Sequence, residues 1–505
     1  MTKTATRSQT HTRQEHRMRR RTRTAIALAL ALSLVAACGG PGKQAGSDSG
    51  SKVTAGNLPA CPLDSLKNGT GKVQVSLWYG GLQGKTLDTM KAQIDAFNKS
   101  QDKVVVTGQD QGQSYDEVQQ KYKGAIRSKQ LPSIVYLENT SLQAMIDSGT
   151  AVPAGACMKT DKFDQSQIVD TVRSYYSVND VLWPGYFNIS EPVLYYNKAA
   201  FKKAGLDPDK PPGNLQELRD ASVKLKAAGY QAPLALSLKR WFIESWLEGS
   251  GANVVNNGDG HKGLADKADI DNPKTKEILD WIKKMNADGL LLPVSNTSGN
   301  INQYTALTGK SAMTIETSAA ATTIAAFLKG DINGNDIGAG DIKVDPTQVA
   351  AGDAPYPGVT EPGKVSVGGG AFFLVDPKAN AKDPATLAGA YEFLKFQLQK
   401  EQVVAWHLGS GYLPVVKGVS DDPRIQTFWN NDVAGQMLKT AAGQLASIDP
   451  KRNGPLIGPY NDYGTALQKM LEGIAFKDAD PAKSMKDAET QINKALEQYK
   501  QDNSG

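Results

Sequence analysis

Cysteine and histidine are scarce in this chain, with three and four copies among 505 residues. They form no CxxC pair and no Cys/His cluster of the kind that binds a metal. The HExxH and GxSxG motifs of common hydrolases are also absent. Gly309-Lys310-Ser311 matches the end of a phosphate-binding P-loop, but Tyr304 stands where that loop requires glycine. We therefore expect no metal, no cofactor and no catalytic residues.

The body of the chain also lacks a strong net charge of either sign. The formal charge of the whole chain is +5. Residues 1–37 carry Lys3 and seven arginines against the single acid Glu15, so they contribute +7 and leave −2 for the remainder. A slightly acidic body without a basic stripe excludes nucleic acid as the expected partner.

The N-terminal segment is predicted to be an export signal. A basic region precedes the apolar run Ala25–Leu34, which at about ten residues is too short to span a bilayer. The following Val35-Ala36-Ala37-Cys38 resembles the lipobox of bacterial lipoproteins, which implies cleavage before Cys38 and a lipid on that residue. We predict a signal peptide over 1–37 and a flexible Gly/Ser-rich tether over 38–58. A soluble secreted protein that is cleaved elsewhere is the alternative.

Two cysteines remain in the predicted mature chain, Cys61 and Cys157. Two thiols in an exported protein favour one disulfide, which would tie the mature N-terminus to the first lobe. Two buried free thiols are the alternative.

Alternating strand and helix patterns predict an α/β fold with a mostly parallel sheet. The first predicted elements are strand Val73–Trp78, helix Thr86–Ser100, strand Val104–Thr107, helix Tyr115–Arg127 and strand Ser133–Leu137. Polar and aromatic residues follow these strands, and ligands of such sheets bind beyond the carboxyl ends of strands.

A second α/β unit is predicted to begin near residue 190. Strand Pro192–Tyr196 ends at Asn197, which can cap a helix over Lys198–Ala204. Asn214 can cap the next helix, Leu215–Ala228, and Ala371–Val375 is a later strand.

Four motifs carry a resemblance to a known family. They are the block of residues 191–208, which begins Glu-Pro-Val-Leu-Tyr-Tyr-Asn, together with Gly309-Lys310-Ser311-Ala312-Met313, the triplet Gly368–Gly370 and Gly411-Tyr412-Leu413-Pro414-Val415. Their order and spacing resemble the family 1 extracellular solute-binding proteins of ABC transporters, and within these the glycerol-3-phosphate-binding and sugar-binding subgroup. The resemblance implies a two-lobed, type II periplasmic-binding-protein-like fold with a hinge and an interlobe cleft.

The resemblance also implies the division of the chain and its role. The N-terminal lobe is expected over 59–187 and 305–367, and the C-terminal lobe over 188–304 and 368–505. We expect a monomeric lipoprotein, anchored on the extracellular side of the cell membrane, that passes a sugar, polyol or phosphodiester-type solute to ABC permease subunits. The alternatives are a carbohydrate-active extracellular enzyme and a surface lipoprotein without a transport role.

Seven ligand-binding residues are carried over from the family motifs. They are Tyr115, Glu138, Ser190, Trp241, Ser318, Gly369 and Tyr412. A carboxylate can accept from two adjacent hydroxyl groups of a polyol, and an indole face can cover the C–H groups of a sugar.

One position departs from the glycerol-phosphate pattern. That subgroup places a phosphate-pairing arginine near the C-terminus, where this chain has Leu456, and Arg452 lies four residues earlier. Because phosphate in a partly desolvated cleft needs a forked cation, Leu456 favours a neutral sugar or polyol, or a large phosphodiester headgroup.

Overall fold

The structure is a computed structural model that describes residues 53–68, 71–295, 306, 309–335, 349–365 and 367–503. The predicted signal peptide, Cys38 and most of the predicted tether lie outside these residues. Of the helices described, none combines the length and the apolar character needed to cross a membrane.

The strands, in chain order, are β1 Val73–Tyr79, β2 Val104–Asp110, β3 Ile134–Glu138, β4 Ala151–Val152, β5 Ser177–Val178, β6 Val181–Leu182, β7 Tyr186–Ser190, β8 Pro192–Asn197, β9 Leu234–Ser237, β10 Leu291–Val294, β11 Met313–Thr317, β12 Ala351–Pro355 and β13 Gly368–Val375.

The α-helices are α1 Ser65–Asn68, α2 Gly84–Ser100, α3 Tyr115–Ser128, α4 Leu142–Asp147, α5 Ala154–Asp161, α6 Asp170–Tyr175, α7 Lys198–Lys203, α8 Leu215–Ala227, α9 Arg240–Gly249, α10 Asn256–Asp259, α11 Pro273–Ala287, α12 Ala320–Lys329, α13 Ala385–Gln397, α14 Lys400–Ser410, α15 Pro423–Asn431, α16 Val433–Ser447, α17 Tyr460–Lys477 and α18 Pro481–Asp502.

Several helix starts follow the capping chemistry of the sequence. The Asn197 side chain accepts hydrogen bonds from the amides of Ala199 and Ala200 at the start of α7. Asn214 accepts from the amide of Glu217 at the start of α8. These side-chain oxygens satisfy amides that have no partner in the first helical turn, so both predicted caps are confirmed.

The first sheet joins strands from widely separated parts of the chain. Its order is β2-β1-β3-β13-β4, and β7 also pairs with β13. Strand β1 is parallel to β2 and β3, whereas β13 is antiparallel to β3, β4 and β7. Helices α2 and α13 pack on this sheet. The side chains of β13 from Ala371 to Val375 are buried, which places this strand in the core of the sheet.

The second sheet has the order β10-β9-β11-β8-β12. Strand β9 is parallel to β10 and β11, and β8 is antiparallel to β11 and β12. Helices α11, α12 and α16 pack against its strands. Because β7 belongs to the first sheet and β8 to the second, the chain crosses between them at Glu191.

Sheet membership differs from the predicted division of the lobes. Strands β11 and β12, which fall within the predicted N-terminal segment 305–367, belong to the second sheet with β8 and β9. Strand β13, which falls within the predicted C-terminal segment 368–505, completes the first sheet. The physical reason is that the chain leaves the first sheet near residue 191 to begin the second, and returns to the first only between 355 and 368, where β13 takes its place beside β3.

A disulfide joins Cys61 to Cys157 in α5, with 4.9 Å between their Cα atoms. Both cysteines are buried, and they are 96 residues apart in sequence. The bond fixes the segment before β1 to the lobe that contains the first sheet.

Candidate functional site

A cavity of about 500 Å³ lies between the two sheets. Its lining comes from both lobes, since it includes the end of β3 from the first sheet and the start of α9 after β9 of the second. Six of the seven predicted ligand residues line it: Tyr115, Glu138, Ser190, Trp241, Gly369 and Tyr412. This volume lies within the usual range for small-molecule sites.

Ser318 is the predicted residue that does not line the cavity. It is buried directly after β11, and its hydroxyl accepts a hydrogen bond of 3.2 Å from the amide of Glu191. Its own amide donates to the Glu191 carbonyl at 2.7 Å. Ser318 thus fastens the crossing between the sheets, while its neighbours Glu316 and Thr317 face the cavity.

A chain of hydrogen bonds runs from Tyr115 in the cavity wall to the fully buried Tyr136 behind it. The hydroxyl of Tyr115 bonds that of Tyr136, which accepts from the side-chain Nδ2 of Asn188. The side-chain Oδ1 of Asn188 in turn accepts from the indole of Trp406 at 2.7 Å. Burial raises the pKa of Tyr115 and of Tyr136 well above the ordinary phenol value. Both phenols are therefore neutral and available for hydrogen bonding.

Three consecutive glycines make room for the aromatic walls. A Cβ atom at Gly368 would lie 2.4 Å from the indole of Trp241. At Gly370 it would lie 2.4 Å from the ring of Tyr136 and 2.7 Å from the Tyr115 hydroxyl. Gly369 has φ +123°, a backbone conformation that other residues rarely adopt. The triplet Gly368–Gly370 thus lets backbone and rings approach each other at the cavity surface.

Two ion pairs bring charge into the cavity. Glu138 Oε2 lies 3.1 Å from Arg240 Nη2 and also accepts from the Thr140 hydroxyl at 3.0 Å. Lys239 Nζ lies 2.9 Å and 3.0 Å from the two oxygens of Glu316, whose side chain is almost fully buried. Each cation of the cavity is therefore held by a carboxylate.

Sequence reasoning missed Arg240 and its supports. The guanidinium carbon of Arg240 lies 5.0 Å from the centre of the Tyr460 ring. The Tyr460 hydroxyl donates to Glu244 at 2.6 Å and 2.8 Å, and burial raises the pKa of Glu244 to about 7. The sequence signal that could have identified Arg240 was its position in the pair Lys239-Arg240, directly before the predicted ligand residue Trp241. Tyr460, by contrast, is brought to the cavity from a helix more than 200 residues away.

The segment around Leu456 adds no cation to this cavity. Leu456 is buried, and its amide donates to the carbonyl of Asp259 at 2.8 Å. Arg452 donates to the carbonyl of Glu248 and lines a separate cavity of about 680 Å³. Arg452 therefore does not replace the arginine expected at position 456.

Among the described residues there is no group of three or more His, Cys, Asp or Glu side chains placed to hold a metal ion. The polar residues that line the cavity carry carboxylates, phenols, an indole, two cations, side-chain amides and aliphatic hydroxyl groups. This set can exchange hydrogen bonds with hydroxyl groups and cover apolar ring faces.

Two α/β lobes around a polar and aromatic cavity are the architecture of the two-lobed solute-binding proteins. The family model described as bacterial extracellular solute-binding protein matches residues 92–434. The chain belongs to this family, and it captures a solute for an ABC importer.

Relatives and solved structures agree with this assignment. The sn-glycerol-3-phosphate-binding periplasmic protein UgpB of Escherichia coli (strain K12) is 27% identical over 449 residues, which cover 87% of this chain and 96% of that protein. UgpB from Mycobacterium tuberculosis in complex with glycerophosphocholine superposes with a TM-score of 0.66 at 19% identity, covering 85% of this chain and 99% of that one. The cyclic alpha-maltosyl-1,6-maltose binding protein from Arthrobacter globiformis also gives 0.66 at 19% identity, covering 85% and 100%. The two structural likenesses establish the shared type II fold.

Proposed function

We propose that this protein is a lipid-anchored, monomeric solute receptor on the extracellular side of the cell membrane. It captures a sugar, polyol or glycerol-phosphate-type solute and delivers it to ABC permease subunits. The observation that carries the proposal is the cavity between the lobes, where Glu138 and Tyr115 of one lobe face Trp241 of the other. A ligand that touches both lobes can stabilise their closed arrangement.

The residue chemistry supports a hydroxyl-rich ligand. Glu138 presents a carboxylate acceptor, and the indole of Trp241 presents a flat apolar face. The indole nitrogen of Trp241 is buried and has no hydrogen-bond partner within the described part of the chain. Because this nitrogen is shielded from solvent beside Gly368, a solute meets the carbon atoms of the indole ring and not its N–H.

The same chemistry supports a binding role over an enzymatic one. Glu138 and Glu316 are each held in an ion pair with a cation. Glycoside hydrolysis needs one carboxyl group as acid and a second as base or nucleophile. The ion pairs hold Glu138 beside Arg240 and Glu316 beside Lys239, where carboxylate oxygens can accept from hydroxyl groups of a solute.

A ligand panel tests the solute-binding proposal. Maltose, mannobiose, tagatose, glycerol, glycerol-3-phosphate and glycerophosphocholine are screened by thermal shift, and binders are measured by calorimetry. Saturable binding is expected for at least one compound. Glu138→Ala and Trp241→Ala should each weaken it by about 1–3 kcal/mol, through a lost acceptor and a lost apolar contact. Glu277→Ala, on the exposed face of α11, is the matched control and should bind as the unmodified protein does.

Unchanged affinity in both cavity variants would show that the solute binds elsewhere. Absence of binding to every compound would contradict the proposed solute class.

The lipid anchor is tested separately. It rests on the lipobox-like sequence that ends at Cys38, which lies outside the described residues. Cys38→Ser should convert a membrane-associated protein into one that is released in soluble form, as cell fractionation will show. Membrane association of the Cys38→Ser protein equal to that of the unmodified protein would exclude a lipid on this cysteine.

A further inference from the structure

Arg240 links the two lobes across the cavity. It begins α9, which follows β9 of the second sheet, and its guanidinium lies 3.1 Å from Glu138 at the end of β3 in the first sheet. Glu138 and Arg240 are thus a cross-cleft ion pair at the surface that a solute must contact.

The position of Arg240 is fixed from several sides. Its guanidinium lies over the ring of Tyr460, whose hydroxyl is held by the buried Glu244. Its aliphatic stem lies against Gly464, where a Cβ atom would come within 2.4 Å of the arginine Cδ. A side chain held in this way loses little further freedom when it binds a ligand.

The pair retains hydrogen-bonding capacity toward the cavity. A guanidinium has five N–H donors, and the bond to Glu138 uses one of them. Glu138 Oε2 accepts from Arg240 and Thr140, while no bond to Oε1 is present among the described residues. A donor and an acceptor therefore stand side by side. Two neighbouring hydroxyl groups can satisfy both, one by donating to the carboxylate and one by accepting from the guanidinium.

The charges of the cavity disfavour an anion. Its lining has the cations Lys239 and Arg240 and the carboxylates Asp116, Glu138 and Glu316. Asp116 lies in the first turn of α3, where the helix dipole stabilises its negative charge. The formal charge of the lining is therefore −1, and both cations are already paired with carboxylates. A phosphate that accepts from the remaining N–H groups of Arg240 would lie beside the negative carboxylate of Glu138 and be repelled by it.

We propose that Arg240 is a ligand-contacting, specificity-determining residue, and that the Arg240–Glu138 pair selects a neutral solute with adjacent hydroxyl groups over a phosphate-bearing one. This rests on the proposed solute-binding function and deepens it. Position 456 carries no cation, and the arginine of the cavity comes instead from the start of α9. Because Arg240 is paired with Glu138, it does not form a free binding site for an anion.

Substitutions in the pair test the assignment with the same ligand panel. The unmodified protein should bind a neutral sugar or polyol more tightly than glycerol-3-phosphate or glycerophosphocholine. Arg240→Met should weaken binding of the neutral ligand roughly 10- to 100-fold, as expected for a lost hydrogen bond from a charged group. Arg219→Met is the matched control, since Arg219 pairs with Asp288 outside the cavity and should leave affinity unchanged.

A substitution of the carboxylate partner tests whether the pair selects ligands by charge or only touches them. Glu138→Gln removes the counter-charge of Arg240 while keeping the shape of the side chain. It should weaken binding of the neutral ligand and strengthen that of glycerol-3-phosphate. Thermal melting of each variant without ligand checks that the fold is retained, and Arg240→Lys, which keeps the charge without the fork, should fall between Arg240→Met and the unmodified protein.

Each contrary result would refute a specific part of the proposal. If Arg240→Met binds the neutral ligand as the unmodified protein does, Arg240 is not a ligand contact. If the unmodified protein prefers a phosphate-bearing compound, or Glu138→Gln does not gain affinity for one, charge selection by the pair is wrong while solute binding stands. If the unmodified protein binds no compound of the panel, the proposed function fails first and this inference falls with it.

Discussion

Glu191 is the residue whose protonation should make the stability of this protein depend on pH. It lies at the crossing from β7 to β8, and its side chain is fully buried. Oε2 accepts from the side-chain Nε2 of Gln444 at 2.8 Å, whereas Oε1 is buried with no hydrogen-bond partner among the described residues. Burial raises the pKa of Glu191 from 4.5 to about 8, so the carboxyl group is largely protonated at neutral pH.

The direction of the effect follows from proton binding. Between pH 4.5 and 8 the folded protein keeps the Glu191 proton, while the unfolded chain has lost it. The free energy of unfolding therefore falls as the pH rises through this window. With one pKa unit equal to about 1.36 kcal/mol, the contribution of Glu191 should decrease by about 3–4 kcal/mol from pH 5 to pH 8.

Glu191→Gln removes this titration while keeping the size of the side chain. Urea unfolding of both proteins at pH 5, 6, 7 and 8 gives two curves of stability against pH. The unmodified protein should lose about 3–4 kcal/mol more than Glu191→Gln does over this range. Other buried acids, such as Glu244 and Asp353, contribute to both curves and cancel in the comparison.

Glu277→Gln, on the exposed face of α11, is the matched control and should follow the unmodified protein. Parallel curves for Glu191→Gln and the unmodified protein would refute the reasoning, because Glu191 would then carry the same charge in both states.

Two further predictions concern the space available for a side chain at two glycine positions and the disulfide. Gly370→Ala should cost about 1–3 kcal/mol of stability and weaken solute binding, since its Cβ atom would enter the space of two tyrosine side chains. Gly124→Ala lies on the exposed side of α3, where its Cβ atom would meet no atom within 4 Å outside the helix backbone. It should stabilise the protein by about 0.5–1 kcal/mol in urea unfolding, and an equal effect of both changes would contradict the packing explanation. The Cys61→Ser/Cys157→Ser double variant should lose about 2–5 kcal/mol, because a cross-link over 96 residues constrains the unfolded chain. Two reactive thiols on denatured, unreduced mature protein would show that the bond is absent.

Local elements were predictable because their signals lie within a few residues. Hydrophobic alternation predicted a strand over Val73–Trp78, and the structure has Val73–Tyr79. The caps at Asn197 and Asn214 fixed the starts of α7 and α8, since one side-chain oxygen decides where each helix begins. Such patterns depend on neighbouring residues and need no knowledge of the rest of the fold.

Long-range pairing was not predictable in the same way. The pattern of Met313–Thr317 indicates a buried strand, but nothing in it specifies pairing with β8 and β9. Ser318 directly follows that strand, and its hydroxyl accepts a hydrogen bond from the backbone amide of Glu191. This role depends on where the chain crosses between the sheets, which the sequence around Ser318 does not specify. Arg240 was missed because its significance depends on Glu138, about a hundred residues away.

The position of β13 in the first sheet has a consequence for the order in which this protein can fold during synthesis. This strand lies between β3 on one side and β4 and β7 on the other, yet it is the last strand in the described part of the chain. A chain emerging from the N-terminus thus exposes the edges of β3 and β7 until residue 375 is available. The first sheet therefore cannot be completed until residue 375 has been synthesised, although every strand of the second sheet, β8 to β12, precedes that point.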